Sequence, residues 1–92
     1  MEYEQSVQEA LAWVPESGAF CQWIVQDAHR AGQALAALRI LDQEASTVLD
    51  LVAVRDAAHT LVLLAYEGGF GQVAWFYAGV YDKYCLMLLY YA

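Results

Sequence analysis

The carboxyl-terminal quarter of the chain constrains the fold most strongly. Eighteen of the twenty-three residues from 70 to 92 are apolar, and tyrosines stand at 77, 81, 84 and 91. Gaps of four, three and seven residues place side chains on one side of an α-helix, so the pattern predicts a final helix over about 72–90. A helix that is apolar on most of its circumference must be covered by other elements, by a membrane or by a second molecule.

The length predicts one domain over 1–92, and the composition predicts more apolar surface than this domain can bury. A chain of this size leaves roughly a third of its surface in water when folded. Counted as A, V, I, L, M, F, W, C and G, 55 of the 92 residues are apolar, whereas an average soluble domain has about 45–50%. The surplus favours a binding partner or a second copy of the chain.

The amino-terminal part predicts two amphipathic helices. Apolar residues at helical spacing precede Pro15, which forces the residue before it out of helical geometry, so the first helix is expected to end there. A second helix is expected from about Ala19, with an apolar face that repeats every three to four residues through Leu38. Gly32 lies inside this helix and indicates a close helix crossing or a bend.

The segment from 43 to 66 is compatible with two structures. One is a helix whose amino terminus is capped by the carboxylate of Asp42. The other is a hairpin of two strands over 47–54 and 60–66. We favour the helix because no glycine or proline lies between 33 and 67 to make a turn.

Three glycines, at 68, 69 and 71, are expected to end this segment and to begin the turn into the last helix. Four helices with short connections predict an all-α fold, a compact antiparallel bundle of about four helices. The alternative is an α+β fold with a small hairpin around 47–66. No repeat or linker divides the sequence.

The charge pattern predicts an acidic protein partner-binding surface. The net charge is −7, with only four basic residues, and nucleic-acid binding needs several basic side chains to replace counterions. We therefore expect no nucleic-acid partner, and instead a protein with a basic surface. The candidate binding residues are acidic and fall mainly near 1–16 and 42–56: Glu2, Glu4, Glu9, Glu16, Asp42, Glu44, Asp50 and Asp56.

No motif indicates catalysis, a cofactor or a metal. Asp56 and His59 would be neighbours on a helix, but a zinc or iron site needs three or four ligands, and no second pair of this kind occurs. Cys21 and Cys85 are expected to be buried thiols, although a bridge between two helices is the alternative. We therefore expect a non-enzymatic protein without a cofactor.

The last helix is not expected to span a membrane, because Asp82 and Lys83 interrupt its apolar run at the middle. Each charge costs about 2.5–3.5 kcal/mol at that depth, and the apolar stretches on either side are shorter than the roughly 20 residues that a span requires. The first residues lack the basic start and apolar stretch of a secretion signal. A cytoplasmic location is therefore expected.

These features together predict a function in protein–protein interaction. Aromatic residues at helical spacing fill cores, but tyrosine is also enriched at interfaces, and we expect a homodimer formed through Trp75, Tyr77, Tyr81, Tyr84 and Tyr91. Small size and acidity suggest an inhibitor, immunity or antagonist protein that masks a basic surface of its partner. The alternatives are a helical bundle that binds a small apolar ligand and a membrane-associated accessory protein.

Overall fold

Five α-helices form the part of the chain that the structure, a computed structural model, describes. Backbone is described for residues 2–91 and side chains for residues 5–91. The helices are α1 (Glu2–Ala10), α2 (Ser17–Ile24), α3 (Ala28–Leu41), α4 (Val48–Gly68) and α5 (Gly71–Tyr91), with no strand in residues 2–91. The all-α prediction is confirmed, and the alternative hairpin around 47–66 is wrong because α4 runs through it without a break.

The predicted count of four helices is one short, because the second predicted helix is two. Its first part ends at Ile24, and Asp27 then begins α3 by accepting a hydrogen bond from the backbone N–H of Arg30 at 3.1 Å. This bond to the exposed helix end lowers the pKa of Asp27. Pro15 lies between α1 and α2 as predicted, although α1 already ends at Ala10.

Two details of the predicted helices are also wrong. Asp42 does not begin the next helix, since it directly follows α3 and its backbone N–H donates to the carbonyl of Leu38 at 3.1 Å. A loop separates it from α4. Gly32 does not mark a close helix crossing, because no neighbouring element lies within 4 Å of a Cβ placed on it, and α3 continues through it.

Thr47 and Asp50 begin α4 with a reciprocal pair of hydrogen bonds. The Thr47 hydroxyl accepts from the backbone N–H of Asp50, and the Asp50 carboxylate accepts from the backbone N–H of Thr47, both at 3.1 Å. The carboxylate also accepts from the backbone N–H of Ser46 at 3.1 Å. These bonds satisfy donors that a helix start leaves without intrahelical partners.

A glycine turn joins α4 to α5 as predicted and sets them antiparallel. Gly69 has φ 78°, a left-handed conformation that a residue without a Cβ adopts at little cost. The backbone N–H of Phe70 closes the turn by donating to the carbonyl of Ala65 at 2.8 Å. The Glu16 carboxylate accepts from the backbone N–H of Gln72 at 2.9 Å and so caps the first turn of α5 from outside the helix.

The core lies at the turn end of the α4–α5 hairpin, where α2 and α3 pack against α4 and α1 packs on α2 and α3. The rings of Phe20 and Phe70 meet edge to face, with centroids 5.3 Å apart, and the guanidinium of Arg30 lies 3.7 Å above the ring of Trp23. Within α5 the buried side chains are confined to its first two turns: Val73, Ala74 and Tyr77. The remaining length of α5 therefore extends beyond the core.

Candidate functional surfaces

The α4–α5 hairpin carries almost all of the exposed apolar bulk. Eleven large apolar side chains are exposed in the described part of the chain, and ten of them lie on α4 or α5. Those on α4 are Val48, Leu49, Leu63 and Tyr66, and those on α5 are Trp75, Phe76, Leu86, Leu89, Tyr90 and Tyr91. Scattered apolar residues are normal on a protein surface, but a concentration on one element marks an interaction site.

Most of these exposed apolar side chains lie on one side of α4 and on one side of α5. α5 turns one side toward α4, where the rings of Tyr81 and His59 lie 5.5 Å apart, and another side toward α1 and α3. Its third side, away from α3, presents Trp75, Gly79, Asp82, Leu86 and Leu89, with gaps of four, three, four and three residues. Helical geometry places these residues in one stripe.

A matching stripe runs along α4, with gaps of three and four residues from Leu49 to Tyr66. Its members are Leu49, Val52, Asp56, His59, Leu63 and Tyr66, and all except the half-buried Val52 are exposed. The opposite side of α4 holds the core residues Leu61 and Leu64. We call the two adjacent stripes the outer face of the hairpin, defined by its apolar members Leu49, Leu63, Trp75, Leu86 and Leu89.

The aromatic residues predicted for self-association do not share one surface. Trp75 is 82% exposed on the outer face, whereas Tyr77 is only 3% exposed and belongs to the core, so its assignment to the interface is wrong. Tyr81 and Tyr84 are half-buried, and Tyr91 is exposed at the end of α5. Residues two apart on a helix point in different directions, which is why Trp75 and Tyr77 separate.

The pKa values of two of these tyrosines, Tyr77 and Tyr81, are raised. Burial raises the pKa of Tyr77. A hydrogen bond with the Cys85 side chain is the main cause that raises the pKa of Tyr81. Both hydroxyls are therefore protonated at neutral pH and available as hydrogen-bond donors.

Three of the predicted acidic residues have structural roles. Glu16 caps α5, Asp50 caps α4, and Asp56 accepts from the Arg55 guanidinium at 3.1 Å. The backbone N–H of Ser46 is the main cause that lowers the pKa of Asp50. These carboxylates already have partners within the chain, so they are weaker candidates for binding a second protein.

The other predicted acidic residues are dispersed. Glu9 is exposed on α1, and Asp42 and Glu44 are exposed in the loop between α3 and α4. The side chains of Glu2 and Glu4 lie outside the described residues. The structure brings Glu9 and Asp42 to the same groove, but it does not gather the acidic set into one patch.

This groove, between α1, α3 and α5, has a volume of about 630 Å³. Leu35 and Leu38 of α3 form its floor with Tyr77. Trp13, in the segment between α1 and α2, and Phe76 of α5 also line it. Its charged lining consists of Glu9, Arg39, Asp42 and Lys83. No sequence pattern predicts the groove, because its walls come from helices that are distant in the chain.

The described residues contain no group of three or more His, Cys, Asp or Glu side chains that could hold a metal ion. No helix between residues 2 and 91 combines the length and apolar character needed to cross a lipid bilayer. Cys21 is buried, Cys85 is half-buried, and no disulfide joins them.

Comparisons with known proteins do not assign a function, so the functional argument depends on the geometry of the structure. No protein-family model, curated protein or solved structure matches the chain. The outer face of the hairpin and the groove are therefore the two surfaces from which a function is argued.

Proposed function

We propose that the protein acts by non-covalent binding to other proteins, and that the outer face of the hairpin joins two copies of the chain into a dimer. The observation that carries this proposal is the exposure of Leu49, Trp75, Leu86 and Leu89, which are 80%, 82%, 60% and 72% exposed. Apolar side chains of this size gain free energy when they leave water. A partner surface is the simplest way to cover them.

The dimensions of the outer face suit a dimer interface. Each helix of the hairpin has 21 residues and is therefore about 31 Å long. Two such helices packed about 9 Å apart present a face of roughly 30 by 20 Å. That is on the order of 600 Å² in projection, and side-chain relief adds to it, whereas a stable complex buries about 800 Å² on each partner.

The distribution of charge favours a second copy as the occupant of this face. Residues 48–91 carry four acidic and two basic side chains, a net charge of −2, whereas residues 1–47 carry seven acidic and two basic side chains, a net charge of −5. Two hairpins thus repel each other less than two amino-terminal halves would. Of the two charges near the centre of the face, Asp56 is paired with Arg55 at 3.1 Å, and Asp82 is exposed.

Gly79 supplies a second reason to place a helix of another copy here. It lies in the exposed stripe of α5, and no atom of the same chain lies within 4 Å of a Cβ placed on it. A glycine inside a helix costs about 1 kcal/mol relative to alanine. Gly32 of α3 is equally open, but Gly79 differs from it in lying among the exposed apolar side chains of the stripe. A backbone approaching closely from a second copy would use the space that the missing side chain leaves.

Dimerisation through the hairpin leaves the acidic amino-terminal half free. Glu9, Asp42 and Glu44 stay exposed and are available to a partner with a basic surface, as an inhibitor, immunity or antagonist protein would require. Their attraction steers the encounter more than it strengthens the final complex. We expect binding to such a partner to weaken strongly as the salt concentration rises.

Sedimentation velocity on a charge-carrying variant tests the dimer. Leu86→Glu combined with Leu89→Glu should give a monomer with an unchanged circular dichroism spectrum, because burying two unpaired carboxylates opposes association. The matched control is Gln33→Glu with Ala36→Glu, two exposed positions on α3. It adds the same charge and should leave the dimer intact. A dimer that survives the first substitution, or a control that dissociates equally, would contradict the proposal.

A further inference from the structure

The groove between α1, α3 and α5 is a second surface, separate from the outer face of the hairpin. α3 runs antiparallel to α4, since Arg30 near its start lies 4.0 Å from Glu67 near the end of α4. α5 is also antiparallel to α4, so α3 and α5 run in the same direction. Residues at corresponding heights of these two helices therefore face each other across the groove.

This parallel arrangement gives the groove an apolar end and a basic end. Toward the start of the lined stretch stand Leu35 of α3 and Phe76 and Tyr77 of α5, while Arg39 and Lys83 stand further along the same two helices. The lined stretch of α5 spans about two helical turns. Its volume of about 630 Å³ falls within the range of about 300–1,000 Å³ that is usual for small-molecule sites.

The two basic side chains of the groove differ from the other two in the chain. Arg30 and Arg55 have acidic partners, at 4.0 Å from Glu67 and 3.1 Å from Asp56. Arg39 and Lys83 form no ion pair within the described residues. In a chain of net charge −7 with four basic residues, two of the four thus stand at one groove without an acidic partner among the side chains of residues 5–91.

The acidic residues of the groove, Glu9 and Asp42, match Arg39 and Lys83 in number, so the formal charge of its lining is zero and the charge preference depends on where each group lies. The Glu9 carboxylate already accepts a hydrogen bond from the side-chain amide of Gln5 at 3.3 Å. Asp42 follows Arg39 by three residues on the same side of α3, so its repulsion of an anion is balanced by its basic neighbour. Asp82, the acidic neighbour of Lys83 in the sequence, lies on the outer face and is not part of the groove lining.

We propose that the groove binds a free single-chain anionic amphiphile, such as a fatty-acid carboxylate. The apolar chain lies on the floor formed by Leu35 and Leu38, toward Phe76, and the carboxylate lies between Arg39 and Lys83. Trp13, which is 92% exposed on the wall of the groove, packs over the bound chain. Charge-assisted hydrogen bonds to the headgroup set its orientation.

Titration with laurate, below the concentration at which it forms micelles, tests this site by tryptophan fluorescence. Saturable binding of one laurate per chain should shift the emission of Trp13 to shorter wavelength, because its ring leaves water. The shift should vanish in Trp13→Phe and persist in Trp75→Phe, which removes an equally exposed tryptophan from the outer face. A shift that persists in Trp13→Phe, or no saturable binding, would overturn the proposal.

The headgroup assignment is tested by matched removal of charge. Lys83→Gln and Arg39→Gln should each weaken laurate binding by about tenfold, the loss of one charge-assisted hydrogen bond, whereas Arg55→Gln should not change it. Lauryl alcohol should bind the unaltered chain and all three variants alike. Each side chain is at least partly exposed, so the variants are expected to fold, which circular dichroism verifies.

Two further outcomes would contradict the proposal. Tighter binding of dodecyltrimethylammonium than of laurate would show that Glu9 and Asp42 determine the charge preference of the groove. Binding to vesicles of anionic phospholipid without binding to free laurate would identify a membrane surface as the ligand. Laurate binding that is unchanged in the monomeric Leu86→Glu, Leu89→Glu variant is expected, because the groove is separate from the outer face.

Discussion

The two ends of the α4–α5 hairpin are similarly apolar in sequence, but their surroundings differ. At the turn end, Leu61, Leu64, Val73 and Tyr77 pack into the core formed with α1, α2 and α3. At the free end, where α4 begins and α5 finishes, Leu51 and Val54 of α4 are still buried, but Leu49, Leu86 and Leu89 are exposed. The number of apolar residues alone therefore does not tell which part of a helix is covered.

Length explains the difference. The hairpin helices are about 31 Å long, whereas α3, the longest of the other helices with 14 residues, is about 21 Å long. The other two helices have nine and eight residues. α4 has buried residues from Leu51 to Ala65, whereas the buried residues of α5 end at Tyr77. The three short helices therefore leave the free end of α5 and the outer face exposed.

Truncation of one large side chain at each end should give the largest contrast in stability. Phe20→Ala, in the core beside Phe70, should lower the free energy of unfolding by about 3–5 kcal/mol. Leu89→Ala at the free end should change the unfolding of dilute monomer by no more than about 0.5 kcal/mol. Urea unfolding followed by circular dichroism measures both. Equal losses at the two positions would show that the free end is covered within the monomer.

Substitution of two exposed tryptophans should show which surface of the protein forms the dimer. Trp75→Ala should weaken the dimer by about 2 kcal/mol or more, because buried tryptophans at interfaces often dominate binding. Trp13→Ala, on the groove side, should leave the dimer unchanged. Sedimentation equilibrium of both variants gives the two dissociation constants. A larger effect for Trp13 would move the interface from the outer face to the groove.

Two glycines should respond to alanine in opposite directions. Gly69→Ala should destabilise the fold by about 1 kcal/mol, since Gly69 has a positive φ. Gly79→Ala should stabilise dilute monomer by roughly 0.5–1 kcal/mol through helix propensity, yet weaken the dimer by filling the space between helices. Thermal unfolding and sedimentation together give both effects. A dimer that is strengthened by Gly79→Ala would contradict close helix contact at that position.

Removal of the Thr47 hydroxyl tests how much this cap stabilises the first turn of α4, at the free end of the hairpin. Thr47→Ala removes the acceptor for the backbone N–H of Asp50 and should cost about 1 kcal/mol. Amide hydrogen exchange should accelerate in the first turn of α4 and not near Gly68. Uniform acceleration along α4 would show that the hairpin opens as one unit.

The smallest expected effect is the change with pH in the stability that Asp50 contributes to the same cap. Hydrogen bonds lower the pKa of Asp50 in the folded protein, so the stabilisation is complete above the unfolded pKa of about 3.9 and is lost as pH falls through the folded value. Asp50→Asn should therefore lower the melting temperature near neutral pH, and its difference from the unaltered chain should shrink in acid. A difference that stays constant with pH would exclude ionisation of Asp50 as the cause.

Much of the fold follows from local sequence signals. The glycines at 68 and 69 predict the turn, and the long apolar period predicts α5. The prediction places the start of α4 at Asp42, although Thr47 and Asp50 have the spacing of a capping box. It does not find the break at Asp27, because the apolar period continues through it into α3.

The candidate surfaces were harder to predict, because they depend on which side of each helix is covered. Periodicity identifies the apolar sides of α5 but does not rank them, so Tyr77 was assigned to an interface while Leu86 and Leu89 were overlooked. The groove needs Trp13 from the segment between α1 and α2, Arg39 from α3 and Lys83 from α5, and no local pattern indicates that they converge.

Sedimentation equilibrium of the unaltered chain across the micromolar range tests most directly whether a second copy covers the free end of the hairpin. The predicted result is a concentration-dependent mass that rises to twice the chain mass of 10.3 kDa. A mass that stays at 10.3 kDa at every concentration would contradict it.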